Sequence, residues 1–288
     1  MSLSCERLLK DLQDKLDALP QAWRAPRGVV PETPMAEDAL AAMLASQAEE
    51  KLDERVNMAQ QIAGLAGWIA TSCRPDGYFA YVALSQYLAN GLTQVVWDAL
   101  LRWAAYVAST PEVRLTYRAS RNGADWVVYA DSSLFNAGGA ASFGGYVALF
   151  PGSGVFAWKS FVPRKLGLAS GAAETIMAAH AVHYVTGQRM LARELGRCSG
   201  EPTLVYTDNL ATLQGTKMEN VSVGQRYMSA RRAVVRRAQD AGIVKIEKVH
   251  TDDNLADMFT KPLPRDKFLK LRGLVLGSVP VPVPVRAN

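Results

Sequence analysis

The chain has 288 residues, of which 49% are apolar and 20% charged, with a formal net charge of +5. That length allows one large domain or two modest ones, and the apolar share excludes a disordered or low-complexity chain. A basic balance suits a polyanionic partner such as nucleic acid without requiring one.

Three cysteines, Cys5, Cys73 and Cys198, lie far apart and form no CxxC pair. So odd and sparse a set argues against a disulfide framework and against a cysteine zinc site, and a reducing intracellular compartment is the simplest expectation. The opening MSLSCERLLKDLQDKL carries charges through its first turns and holds no apolar core, so it does not read as a secretory signal.

Residues 1–19 read as a charged amphipathic helix, and residues 20–35, with four prolines, as a linker. A polar helical stretch follows over 36–60. From Gln61 to about Ala108 the pattern is helical and apolar, with Trp68, Trp97, Leu100, Leu101 and Trp103 as expected core residues. The uncharged run from Gly77 to Trp97 is interrupted by Ser85, Gln86, Asn90, Gly91, Thr93 and Gln94. It predicts two soluble helices with a break at Asn90-Gly91, not a membrane span. Residues 109–125 form an irregular junction.

The character then changes. WVVYADSSL (126–134), FGGYVALF (143–150) and VFAWKSF (155–161) are β-rich runs, separated by a glycine-rich turn at 137–139 and by Pro151-Gly152, and they predict an antiparallel meander. A long helix runs from Ser170 to about Leu195 and stops at Gly196. TLVYTD (203–208) is a short strand with a short helix near 209–216 behind it. Residues 223–241 are helical and arginine-rich, stopped by Gly242; IVKIEKV (243–249) is a strand, and Asn254–Thr260 a short helix. The order β-β-β-α-β-α-α-β-α implies an α/β fold with a mixed five-stranded sheet and helices on its faces. The prolyl tail 278–288 should be extended.

Four acids sit at strand ends or helix starts. Asp131 shares a strand face with Val127 and Tyr129, although for this residue alone a turn-forming Asp before Ser132-Ser133 is the default. Glu174 lies within roughly 40° of Ala178, Ala181 and Val185 on its helix, so it either faces the sheet or merely occupies a favourable first turn. Asp208 follows an apolar strand, where open α/β sheets build sites, yet Asp is also a good helix N-cap. Asp257 stands among Leu255, Met258 and Phe259, with a surface position as its default. Clustered carboxylates coexist around hard cations, and oxygen donors select Mg²⁺ or Mn²⁺. Two such ions roughly 4 Å apart can activate water and stabilise a leaving oxygen at a phosphodiester.

The closing string LADMFTKPLPRDKFLKLRGLVLG (255–277) closely resembles the end of copia-type LTR retrotransposon polyproteins, in their connection and RNase H region. VYTDN (205–209), FAWKS (156–160), LASGAAETIMAA (168–179), TSCRPDGYFAYVALSQYLAN (71–90) and WDALLRWAAYVASTPEVRLTY (97–117) follow the same pattern, so the likeness runs over about 57–277. It implies an RNase H-like domain over 121–277 behind a helical connection segment at 57–120, with residues 1–56 unassigned. It also implies a two-metal endonuclease that cuts the RNA strand of RNA–DNA hybrids in the company of a reverse transcriptase polymerase domain, in the cytoplasm, the nucleus or virus-like particles. Carried across, Asp131 bridges both ions, Asp257 serves the water side, and Glu174 and Asp208 the leaving-group side. The alternative is a catalytically silent module of the same fold that binds nucleic acid or tethers a partner. An integrase or transposase fits less well, because those sites usually use three acids.

The sequence departs from the family pattern at Ala172, where a second acid is usual, and at Arg226, Tyr227, Met228 and Ser229, which replace a Lys-His-Ile-Asp segment. No Tyr-x-Asp-Asp polymerase motif is present. Arg226, Arg232, Arg236 and Arg237 share one arc of their helix and form a candidate phosphate track, with Lys159, Arg164 and Lys165 as further cations. His250 stands seven residues before Asp257, where many cellular RNases H carry a mobile histidine but the copia pattern usually does not. His180 and His183 read as ordinary helix residues.

Overall fold

Small and apolar residues at helical spacing build the N-terminal part of the chain, seen here in a computed structural model that describes residues 2–3, 5–24, 30–118, 126–133, 142–162, 170–198, 200–208 and 226–279. The helices are α1 (Glu6–Asp17), α2 (Ala39–Ala45), α3 (Val56–Ser72), α4 (Tyr78–Ala89) and α5 (Gln94–Ala108). A two-residue β1 (Ser2–Leu3) pairs antiparallel with β2 (Leu115–Thr116). On α3 the buried stripe is Ala59, Ile62, Ala63, Ala66, Ile69 and Ala70, a spacing of three and four residues. Trp68 falls off that stripe and is 65% exposed, so it is not the core residue expected, whereas Trp97, Leu100, Leu101 and Trp103 are buried. The break between α4 and α5 falls at Asn90-Gly91, where Gly91 takes a φ of 107° that favours glycine. Thr93 then caps α5 by accepting the Val96 N–H. Among the described residues no helix is long and apolar enough to cross a membrane.

Three expectations change in this region. Cys5 and Cys73 form a disulfide that links the start of α1 to the end of α3, their Cα atoms 6.7 Å apart. An odd thiol count rules out complete pairing, not one pair. The proline-bearing segment is no free linker: the Trp23 carbonyl accepts the Trp97 indole N–H at 2.9 Å, and buried Thr33 accepts from Arg102 at 3.0 Å. Proline forbids a continuous helix there but does not forbid packing. The helical stretch foreseen over 36–60 is broken into α2, single turns at Ser46–Ala48 and Asp53–Arg55, and the start of α3.

The sheet forms from β3 (Val127–Ser133), β4 (Phe143–Leu149), β5 (Val155–Phe161), β6 (Thr203–Thr207) and β7 (Val244–Lys248), in the order β5-β4-β3-β6-β7. The first three strands are mutually antiparallel, while β6 runs parallel to β3 and β7 parallel to β6. This is the mixed five-stranded α/β sheet that the order of elements implied. α6 (Ser170–Glu194) and α7 (Arg226–Asp240) pack on one face, where Ala178, Val182, Val185 and Val235 meet Val128, Ala130 and Val205. Both helices end as expected at a glycine with positive φ, Gly196 and Gly242. The glycine-rich turn at 137–139, the helix foreseen near 209–216 and most of the prolyl tail lie outside the described residues.

A last helix, α8 (Arg265–Val275), does not group with the sheet. The described residues within 1–118 form one compact unit together with 261–279, and those within 119–260 form the other. The boundaries drawn from sequence set residues 1–56 apart and ended the sheet domain at 277. In the structure, α8 completes a buried polar network of the helical unit. Arg74 and Asp76 meet as a two-pronged pair at 2.8 and 2.9 Å, and Arg74 also donates to the Thr110 carbonyl and hydroxyl. The Tyr106 hydroxyl donates to Asp76 at 2.5 Å and accepts from Arg272 of α8 at 3.2 Å. Burial pushes the Asp76 carboxyl up, but Arg74 and Tyr106 outweigh it and hold it below the ordinary carboxylate range.

Replacing Asp76 with Asn leaves the Arg74 charge buried and poorly paired, and should cost about 3–5 kcal/mol in tryptophan-monitored denaturation. Because the folded-state pKa of Asp76 is depressed, its stabilisation is complete above the unfolded value of about 4 and is lost as pH falls further. Asp76→Asn should therefore flatten the acid limb of the stability–pH curve; an unchanged limb would count against this role.

Candidate metal centre

Alternation along β3 decides where its acid points. Val128 and Ala130 join the core beneath α6 and α7, so Tyr129 and Asp131 face the other side. There the Tyr129 ring lies 5.0 Å from that of Tyr206. Asp131 is buried well inside the strand, paired with Gly145 of β4, and so is not a turn-former. β3 and β6 run parallel with Tyr129 level with Tyr206. Asp131 follows two residues beyond Tyr129, and half-buried Asp208 two residues beyond Tyr206, just past the end of β6.

The third acid arrives on a short turn, Leu255–Phe259, opened by Asn254, whose side chain accepts the Ala256 N–H at 3.2 Å. Every residue of the turn is buried, Asp257 included, against the expectation of a surface acid. Gly145 is what lets the turn lie so close to the sheet: a Cβ at that position would stand 2.7 Å from the Phe259 Cβ and 2.9 Å from its carbonyl oxygen. Two side-chain bonds then fasten the turn to β3. Ser133 donates to the Thr260 carbonyl at 2.6 Å, and the Thr260 hydroxyl donates to the Asp131 carboxylate.

As a result, one carboxylate oxygen from each of Asp131, Asp208 and Asp257 lies within 4.8 Å of the others. Glu174 does not belong to this group. It is buried and faces the sheet, one of the two placements its sequence allowed, but it approaches from the α6 side, where Ser132 donates to its Oε1 at 2.7 Å. Adjacent residues of a strand point to opposite faces, so the acid at 131 and the hydroxyl at 132 receive different partners. An all-oxygen donor set, with two of its three acids buried, fits a hard divalent cation such as Mg²⁺ or Mn²⁺.

Of the expected phosphate contacts, Arg236 and Arg237 are exposed on α7 and Arg232 is half-buried. The Arg226 side chain, Arg164 and Lys165 lie outside the described residues. His250 is exposed, accepts the Asp252 N–H through Nδ1 at 3.2 Å, and stands outside the three-acid group. His180 and His183 lie on α6 and, with Arg231 and Val234, line an open groove of about 310 Å³ between α6 and α7. His180 packs on the Phe161 ring, and burial together with the neighbouring cations Lys159, Arg231 and His183 pushes its imidazole below the usual range.

No family model matches the chain. Over 231 residues, 78% of its length, it is 26% identical to the retrovirus-related Pol polyprotein from transposon TNT 1-94 of Nicotiana tabacum. Its homologues are retrovirus-related Pol polyproteins of plant copia-type transposons. Those from transposons RE2 and RE1 of Arabidopsis thaliana are 26% and 25% identical over 73% and 68% of the chain. The chain spans 17%, 14% and 13% of these three relatives, less than a fifth of each. Among solved structures it is similar to LC11-RNase H1 in complex with an RNA/DNA hybrid, at 11% identity and a TM-score of 0.35, covering 47% of this chain and 94% of that one. It is also similar to the N-terminal RNase H domain of Rv2228c from Mycobacterium tuberculosis, at 14% identity and a TM-score of 0.33, covering 51% and 94%.

The sequence reading passed over Ser132, Gly145 and Thr260. Gly145 left a trace, since a glycine inside a strand often marks close backbone approach. The two hydroxyls left none, being neutral and common. Gly145→Ala should destabilise the chain by about 1–3 kcal/mol by forcing the Phe259 turn off the sheet. Gly187→Ala within α6, where nothing stands within 4 Å of the added Cβ, should stabilise by about 0.5–1 kcal/mol. Equal effects of the two in thermal denaturation would refute the close-approach account.

Proposed function

We propose that this Pol-related chain is a divalent-metal-dependent endonuclease that hydrolyses the RNA strand of RNA–DNA hybrids. The observation that supports it is the approach of Asp131, Asp208 and Asp257 oxygens to within 4.8 Å at the carboxyl ends of two parallel strands. Asp131, Asp208 and Asp257 would hold the ions, which would supply an activated water and charge stabilisation for the departing 3′ oxygen, so that hydrolysis would leave a 5′-phosphate and a 3′-hydroxyl. Asp131 would be the central ligand, Asp257 would serve the attacking water and Asp208 the departing oxygen. Glu174, joined to β3 through Ser132, would serve the leaving-group side. Arg232, Arg236 and Arg237 follow the phosphates, and contacts to the 2′-hydroxyl distinguish the RNA strand. A polymerase domain is the expected partner, since the relatives are Pol polyproteins.

One observation favours a second reading, a hybrid-binding module without catalysis: Glu174 is engaged by Ser132 and stands apart from the other three acids. A labelled hybrid incubated with Mg²⁺ separates the two. Wild type should cut the RNA strand, and Asp208→Asn should lower the rate by about 100-fold or more, at or beyond the upper end of the 10–100-fold typical of losing an outer-shell partner. Binding without cleavage by wild type favours the silent module, and DNA strand transfer favours an integrase. The double change Arg236→Ala, Arg237→Ala should reduce the slope of log affinity against log salt by about two. An unaltered slope would remove α7 from the phosphate path.

A further inference from the structure

The hydroxyl of Thr260 occupies a junction that neither charge nor packing explains. Thr260 is fully buried. Its hydroxyl donates to Asp131 Oδ2, with the Asp257 carbonyl 3.3 Å away as a second, more distant acceptor, while its own carbonyl is held by Ser133 at 2.6 Å. Its backbone N–H closes the turn onto the Asp257 carbonyl at 3.3 Å. One residue therefore touches the strand that carries the first acid and the turn that carries the last.

We propose that Thr260 is a positioning residue for divalent-cation binding, acting through Asp131; this rests on the metal-centre reading above. The terminal torsion of an aspartate is soft and roughly two-fold, so the carboxylate plane is poorly fixed by its own rotamer. A hydrogen bond to one oxygen fixes that plane and directs the remaining lone pairs. Because the donor is anchored to β3 through Ser133 and to the turn through Asp257, the same bond sets the separation of the Asp131 and Asp257 oxygens. Outer partners that orient ligating carboxylates commonly change metal affinity 10–100-fold when lost.

The test is a Mn²⁺ titration of the full chain without nucleic acid, with free Mn²⁺ read by electron paramagnetic resonance. Wild type and Thr260→Ser, which keeps the hydroxyl, should bind with affinities within about three-fold of each other. Thr260→Val, which keeps the volume and removes the donor, should bind about 10-fold more weakly or worse. Should the Val variant fail to fold, Thr260→Cys replaces it with the same expectation, since a thiol is a weak donor. Wild-type affinity in the Val or Cys variant overturns the proposal, as does an equal loss in Val and Ser, which marks a packing role. Absence of Mn²⁺ binding by wild type is a different result and overturns the metal-centre reading itself.

Discussion

Three carboxylates held with oxygens within 4.8 Å of one another repel, and the rest of the sheet unit is organised to keep them there. At such separations two ionised carboxylates in a partly buried site repel by several kcal/mol, on the order of 3–4 at an effective dielectric constant of about 20. With Asp131 and Asp257 buried, water does little to relieve it. Nothing in the local propensities of VYADSS or LADMF would bring these acids together. The convergence comes from tertiary features: the register of β3 on β6, the missing side chain at Gly145, and the two hydroxyl bonds that tie the 255–260 turn to β3. Such an arrangement is a liability in a protein that binds no cation and an asset in one that does.

The same sheet geometry explains why one expected acid stands apart. A strand offers its successive side chains to opposite faces, so Asp131 meets the turn carrying Asp257 while Ser132 meets Glu174 on α6. Helical phase puts Glu174 on the side of α6 that carries Ala178, Ala181 and Val185, all buried, and leaves open whether it faces the sheet or merely opens the helix. Phase gives direction, however, and not the distance between groups on different elements. That distance depends on how the loops place the helix.

Elements whose burial follows a simple period were legible from sequence. The five strands, their meander and parallel halves, and the helix stops at Gly196 and Gly242 all rest on alternation, helical spacing and glycine conformation. Features set by long-range contact were not. Trp68 is exposed because its position on α3 falls off the buried stripe, and aromatic content alone does not reveal that. Cys5 and Cys73 are 68 positions apart and meet only once α1 and α3 pack. The closing string reads as one motif yet serves two units: Asp257 and Thr260 finish the metal-centre side, while Arg272 completes the buried Arg74–Asp76–Tyr106 network of the helical unit. A motif without interruption carries no mark of that division.

Anomalous scattering from a crystal of the chain soaked in Mn²⁺ addresses the convergence of these acids most directly. The account predicts a manganese peak within coordination distance of Asp131, Asp208 and Asp257 together. Manganese found only elsewhere, or refined carboxylates too far apart to share an ion, would contradict it.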